Sequence, residues 1–173
     1  MAMRGGISLR ISEVPVKIVL EHFLLEGKLK TVGSLDDGLN NEAYNYVSIV
    51  QVVATPWRQI NPLKPMSCAE MYLKIEDIWV IYPVDPAGQA AVKLLPHHER
   101  VILYLGEFVL NCNLSMGADI PLSGVMEALP KRFLPVTEVS LFPLFPPKAS
   151  LPGVLPVGLV NRQKISHYYG SES

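Results

Sequence analysis

Apolar residues recur along this chain in short β-branched runs separated by turn formers. Val16-Lys17-Ile18-Val19-Leu20 and Val101-Ile102-Leu103-Tyr104-Leu105 each predict a strand. Short turns follow at Glu21-His22 and Gly106-Glu107. A second run then opens at Phe23 or at Phe108, and Phe23, Leu25, Gly27 and Leu29 share one face by the two-residue strand period. Leu122 to Leu129 predicts one or two turns of helix capped by Ser123, while its counterpart Leu35 to Glu42 is richer in turn formers and is expected to be looser. Third strands are predicted at Tyr46 to Ala54 and Phe133 to Phe142, and proline-bearing loops at Pro56 to Pro65 and Pro143 to Pro156. Fourth strands are predicted at Glu70 to Ile75 and Val157 to Val160, and short fifth strands near Ile78 and Ile165.

The two sets of elements are one pattern met twice. Val16, Leu20, Phe23, Leu25 and Leu29 match the identical residues Val101, Leu105, Phe108, Leu110 and Leu114, each 85 positions on. From Leu35 and Leu122 the offset is 87, and it pairs Tyr46-Val47-Ser48-Ile49 with Phe133-Leu134-Pro135-Val136, Pro56 with Pro143, and Ile78 with Ile165. The reading is a duplicated module over residues 14–83 and 99–169. The linker, 84–98, carries a candidate short helix at Pro86 to Leu95. Five short strands in about 70 residues bury their side chains best by curling into a small barrel or a tight two-layer sandwich, and a module of that size has a marginal core alone. The expected fold is all-β with minor α: two tandem, duplicated small β-barrel-like modules related by a pseudo-twofold.

Composition sharpens this picture. Only 18% of the 173 residues are charged, against about 25% in ordinary domains, so some apolar surface is expected to lie between protomers or under a partner. The net charge of -1 argues against a generally basic nucleic-acid binder. No apolar run approaches the roughly 18 residues of a spanning helix, so membrane insertion is not expected. Met1 to Pro15 lacks a continuous apolar stretch of the signal-peptide kind, and two cysteines, Cys68 and Cys112, make no disulfide framework. The expected location is cytoplasmic. Gly5-Gly6 is too short a glycine run to cradle phosphate and reads as part of a flexible tail.

Val16…Leu20…Gly27-Lys28-Leu29…Asp36…Leu39-Asn40 resembles the first motif of Sm-like proteins, and Leu159-Val160-Asn161-Arg162-Gln163-Lys164-Ile165 resembles the second. The chain is also similar in texture to uncharacterised bacterial proteins that follow a strand and a glycine with Leu-Asp-x-Leu-Asn. The Sm-like resemblance implies a small β-barrel that binds RNA. The chain departs from it in the longer spacing from Gly27 to Asn40, in Cys112 and Glu127 at the second copy's glycine and asparagine positions, and in Gln163 after Arg162.

Candidate chemistry is sparse. Neither a nucleophile elbow nor a phosphate-binding glycine loop is present in the sequence. His97, His98 and Cys112 form a metal set only if the fold gathers them, and the plainer reading of the histidines is a solvated linker. Asp36-Asp37-Gly38-Leu39-Asn40-Asn41-Glu42 lacks the alternating acids of a calcium loop and reads as a capped turn. Neither cysteine has a cationic sequence neighbour that would activate it. No cofactor and no metal is expected.

Two surfaces remain. Phe142, Phe145 and Pro146 stand in the proline-stiffened stretch Leu141 to Pro147, preorganised either to enter a groove on this chain or another or to cap an open end of their own barrel. Asn40, Lys131, Arg132, Arg162 and Lys164 would serve a nucleic-acid backbone if they converge. The functional expectation is a non-enzymatic structural or protein-interaction module that self-associates as a homo-oligomer or binds another protein. The alternative is an Sm-like RNA- or nucleotide-binding module.

Overall fold

The computed structural model describes residues 10–128 and 130–171. The expectation for Gly5-Gly6 lies outside them. The first half of the chain forms β1 (Ile11–Val19), β2 (Phe23–Val32), α1 (Leu35–Asn40), β3 (Tyr46–Pro56), β4 (Met66–Lys74), a 3-10 turn (Ile75–Asp77) and β5 (Val80–Pro83). Helix α2 (Pro86–Ala91) occupies the connection. The second half forms β6 (His97–Leu105), β7 (Phe108–Met116), α3 (Leu122–Ala128), β8 (Phe133–Pro143), β9 (Val154–Asn161), a 3-10 turn (Arg162–Lys164) and β10 (Ile165–Gly170).

All ten strands belong to one antiparallel sheet in the order β10-β6-β7-β8-β9-β5-β1-β2-β3-β4. This corrects the expectation of two barrel-like modules: hydrogen bonding runs through the joint between β9 and β5, and the sheet does not close. The reason lies in the edges. Val80 and Ile81 of β5 lie opposite Val160 and Leu159 of β9, and all four are at most 1% exposed. Pairing these strands satisfies two open edges and buries four branched side chains at once. The pseudo-twofold is also corrected. A twofold would bring like edges together, whereas the fourth strand of the second half meets the fifth strand of the first.

Within each half the order is the same, β5-β1-β2-β3-β4 and β10-β6-β7-β8-β9. In a flat sheet β4 and β5 would lie four strand spacings apart, roughly 19 Å. The short connection from Lys74 to Val80 includes a 3-10 turn and buries Ile75 and Ile78 completely, so each half-sheet must curl over its own core.

A bulge produces much of that curl. The register of β2 with β3 shifts between Glu26 and Lys28, and that of β7 with β8 shifts between Asn111 and Asn113. At the first bulge a Cβ on Gly27 would stand 2.7 Å from Ile49 Cγ2 and 2.9 Å from the Val50 carbonyl oxygen, so only glycine fits. At the second, Cys112 takes the same place and is fully buried.

Helix α1 starts where Ser34 accepts a hydrogen bond from the Asp37 amide at 3.3 Å, an N-cap that the turn-rich sequence permits. Ser123, expected to cap α3, is instead inside that helix, and the Val125 amide bonds the Pro121 carbonyl. Asp85 caps α2 through the Gly88 amide at 3.1 Å, with Pro86 pre-set at the first helical position.

The core is two interleaved clusters. The one under the first half, around Ile18, Leu25, Leu29 and Ile49, also takes Phe133, Val157 and Leu159 from the second. The one under the second half, around Leu103, Phe108, Leu110 and Val136, takes Val19, Leu24, Trp57, Val80 and Tyr82 from the first.

Candidate functional site

The loops after β2 and β7 and the 3-10 turns after β4 and β9 gather the polar candidates. Asn40, the last residue of α1, grips the backbone of Phe133: its Oδ1 accepts the Phe133 amide at 2.7 Å and its Nδ2 donates to the Phe133 carbonyl at 3.3 Å. Arg132 is the preceding residue, and its guanidinium reaches the Tyr44 carbonyl at 3.5 Å. Arg162 is tied to the same strand end, its amide donating to the Arg132 carbonyl at 2.8 Å. The Arg162 guanidinium donates to the Met126 carbonyl at 3.0 Å, and its Nε is buried without a partner.

Asn40, Arg132 and Arg162 are therefore brought together. What they do there is mostly structural, since both ends of the Asn40 amide are spent on the backbone and Arg162 leans on α3. A small polar cleft of about 120 Å³ beside them is lined by Asn45, Lys74, Glu76, Arg132 and Gln163. Glu76 sits among the cations. Its carboxyl is held below the usual carboxylate range by the Lys74 hydrogen bond first, with Lys164 and Arg132 adding to the field. Lys131 and Lys164 are half-buried and take no part in lining this cleft.

Asn161 was not singled out as a site from sequence, yet it is the best-satisfied polar group at the joint. It is fully buried, donates to the Ile78 carbonyl at 2.8 Å and the Glu76 carbonyl at 3.4 Å, and accepts the Gln163 amide at 3.0 Å. An asparagine just before a short polar stretch, whose side chain can accept the amide two residues on, is the cap signal that a sequence reading could have used.

The second surface is built from the loops after β3 and β8. Lys148 stitches them together: its amide donates to the Trp57 carbonyl at 2.7 Å, and its ammonium to the carbonyls of Asn61 and Leu63 at 2.9 and 3.0 Å. Trp57 is 2% exposed; its ring lies 4.4 Å from that of Phe108 and its indole N–H donates to the Leu20 carbonyl at 2.9 Å. Beside it Arg58 forms an ion pair with Glu107 and reaches Glu21 at 3.4 Å. Above these groups opens a hollow of about 570 Å³, lined by Trp57, Arg58, Gln59, Ile60, Glu107, Phe145 and Pro146. Phe145 and Pro146 thus share one site. Phe142 is apart from them, on β8 opposite Val109, and projects into solvent. Leu144, which sequence reasoning did not select, is 52% exposed and Phe145 63%.

The remaining candidates are placed apart or tied down. His97 and His98 lie on β6 opposite Met116 and Ser115, so they extend the strand into the stretch read as linker. Cys112 is four rungs away opposite Val101, and burial pushes its thiol up to about 12. Among the described residues no group of three His, Cys, Asp or Glu side chains is placed to hold a metal ion. Asp36 is buried and accepts from the Ser34 hydroxyl at 2.8 Å, while Asp37 pairs with Lys93 at 2.8 Å. Lys93 first, and Ser34 next, hold the Asp37 carboxyl below its ordinary range. Cys68 is exposed on β4. Among the described residues no helix is long and apolar enough to cross a membrane. No family model, no curated protein and no solved structure matches this chain.

Proposed function

We propose that this chain is a non-enzymatic structural module, made of two like halves, that self-associates head to tail. One observation carries the reading. Among the described residues the sheet ends in two unpaired edges of unlike kind, β4 at one end and β10 at the other, and inside the chain edges of those same two kinds are already paired, as β9 with β5. By position in the strand order β10 corresponds to β5, and β4 to β9. An open edge is a template for another strand, and an unlike pair of edges propagates from copy to copy.

Copying the register of the internal joint sets Tyr168 of β10 opposite Tyr72 of β4 in the next copy, as Ile81 is set opposite Leu159. Tyr72 is 70% exposed in the single chain. The few charges on the surface and the exposed Met66 on β4 fit the same role. Mass measured by light scattering across protein concentration tests the proposal. The expected result is a species larger than one chain that grows with concentration, and a Tyr72→Lys, Tyr168→Lys double variant that stays single. Wild-type chains that remain single at every concentration would overturn it.

A nucleic-acid role is the second reading. It is favoured by the meeting of Arg132 and Arg162 beside the Asn45 cleft. It is weakened by the use of the Asn40 amide on Phe133 and by Glu76 among the cations. Salt-dependent retention of single-stranded RNA, lost in Arg132→Ala, would support it.

A further inference from the structure

The exposed loop after β8 has a covered counterpart inside this chain. Trp57 follows β3 directly, as Leu144 follows β8, and the two stand 87 positions apart, the offset that relates Pro56 to Pro143. Their local wiring is the same. The Trp57 amide donates to the His22 carbonyl at 3.3 Å, and the Leu144 amide to the Glu107 carbonyl at 2.8 Å. Their burial is opposite, 2% for Trp57 against 52% for Leu144. The difference is the neighbour. Trp57 is covered because the second half sits beside it across the β5–β9 joint and offers Phe108 and Lys148. Leu144 belongs to the half whose corresponding edge, β10, ends the sheet, so among the described residues no further half follows it there as the second half follows Trp57.

We infer that the loop Leu144–Phe145 seats on the Phe23 face of a second copy of this chain. The inference rests on the head-to-tail reading and names the surface that reading would cover. In the second copy, Phe23 opens β2 as Phe108 opens β7, so it takes the place of Phe108 under Leu144. Phe23 is only partly buried in its own half and lies at the rim of that core. Asn61 takes the place of Lys148, so its backbone faces the Leu144 carbonyl. Phe145 meets His22, the position that corresponds to Glu107, where Arg58 forms its ion pair in the internal joint. An apolar anchor next to a strand joint adds burial where edge hydrogen bonds alone give little selectivity.

The test uses the whole chain and reads its mass by light scattering and its affinity by sedimentation. Leu144→Asp is expected to weaken self-association at least about tenfold. At dilution, where both proteins are single chains, its circular dichroism and thermal midpoint should match wild type, because Leu144 is half-exposed in the single chain. Phe145→Arg is expected to weaken association too, and the added change His22→Glu to restore it, since the pair rebuilds Arg58–Glu107 between copies. Wild-type chains that never associate would overturn the head-to-tail reading itself. Wild-type chains that associate while Leu144→Asp does so equally well would overturn this inference alone, as would a Phe145→Arg defect that His22→Glu leaves in place.

Discussion

Gln51 and Glu138 have the same left-handed backbone, at φ 55° and 49°, and stand 87 positions apart on β3 and β8. Among the described residues they are the only non-glycine positions with positive φ. Each marks the bulge at which its strand slips by one residue against β2 or β7. Neither is a residue that favours this conformation, so the two halves have met one steric demand in one way.

That demand gives the first prediction. Replacing Gln51 or Glu138 by valine, whose branched Cβ resists positive φ, should destabilise the chain by about 1–2 kcal/mol at each site. The same position changed to glycine should be neutral or slightly stabilising, because relief of strain offsets the entropy of glycine. Urea unfolding of the four single variants checks both signs.

Gly27 and Cys112 sit beside those bulges and differ for a packing reason. Gly27→Ala puts a Cβ against the Val50 carbonyl, which is backbone and cannot rotate away. A loss of about 1–3 kcal/mol is expected. Cys112→Ala should cost about 1 kcal/mol at most, since only a small buried sulfur is removed. Equal losses at the two sites would mean that Gly27 and Cys112 are packed alike against the β3 and β8 bulges.

Strand positions and many inward faces were legible in the sequence because the signal is local. Val16 to Leu20, Tyr46 to Ala54 and Phe133 to Phe142 show strand composition within a few residues; β3 and β8 cover the last two, and β1 holds the first up to Val19 while starting earlier, at Ile11. The joint was not legible. Which edge pairs with which is decided by backbone groups that every residue carries, so nothing in the composition of β5 or β9 announces the other. The same limit applies to the site. Phe145 and Pro146 were visible as aromatic and proline in one loop. The importance of Leu144 was hidden because its positional equivalent is a tryptophan, and only their opposite burial reveals the relation.

Asn40 separates a structural from a ligand-binding role. Asn40→Ala leaves the amide of the fully buried Phe133 without its acceptor, and a loss of about 1–3 kcal/mol is expected. Asn40→Asp keeps the acceptor and loses the donor, so it should lie between alanine and wild type at neutral pH. Stability that is unchanged in Asn40→Ala would show that the amide is free for another partner.

The buried thiol and phenol set the alkaline limit. Burial raises the Cys112 thiol from 9.0 to about 12 and pushes the Tyr82 hydroxyl above its usual range. For an acid raised on folding, the neutral form is the one the native state holds. Its contribution is complete below the unfolded value and is lost as pH climbs from there toward the folded one. Stability should therefore fall from about pH 9 upward, with a slope approaching about 1.4 kcal/mol per pH unit for each ionising group. Cys112→Ala should remove the part that begins near pH 9. Tyr82→Phe should remove the part that begins near pH 10, and should also gain roughly 1 kcal/mol at neutral pH by deleting a buried hydroxyl without a partner.

The interleaved cores make a claim about cooperativity. If the halves were independent units, each would melt on its own core. Phe133, Val157 and Leu159 lie in the first half's cluster, and Trp57, Val80 and Tyr82 in the second's, so neither cluster is complete without the other half. Asn161 adds polar ties to the carbonyls of Ile78 and Glu76 across the same joint. One calorimetric transition is expected, with the van't Hoff and calorimetric enthalpies equal. Asn161→Ala should lower its midpoint, at a cost of about 1–3 kcal/mol, without splitting it, because the apolar joint stays closed. Two resolved transitions in the wild type would mean that the shared side chains are not what couples the halves.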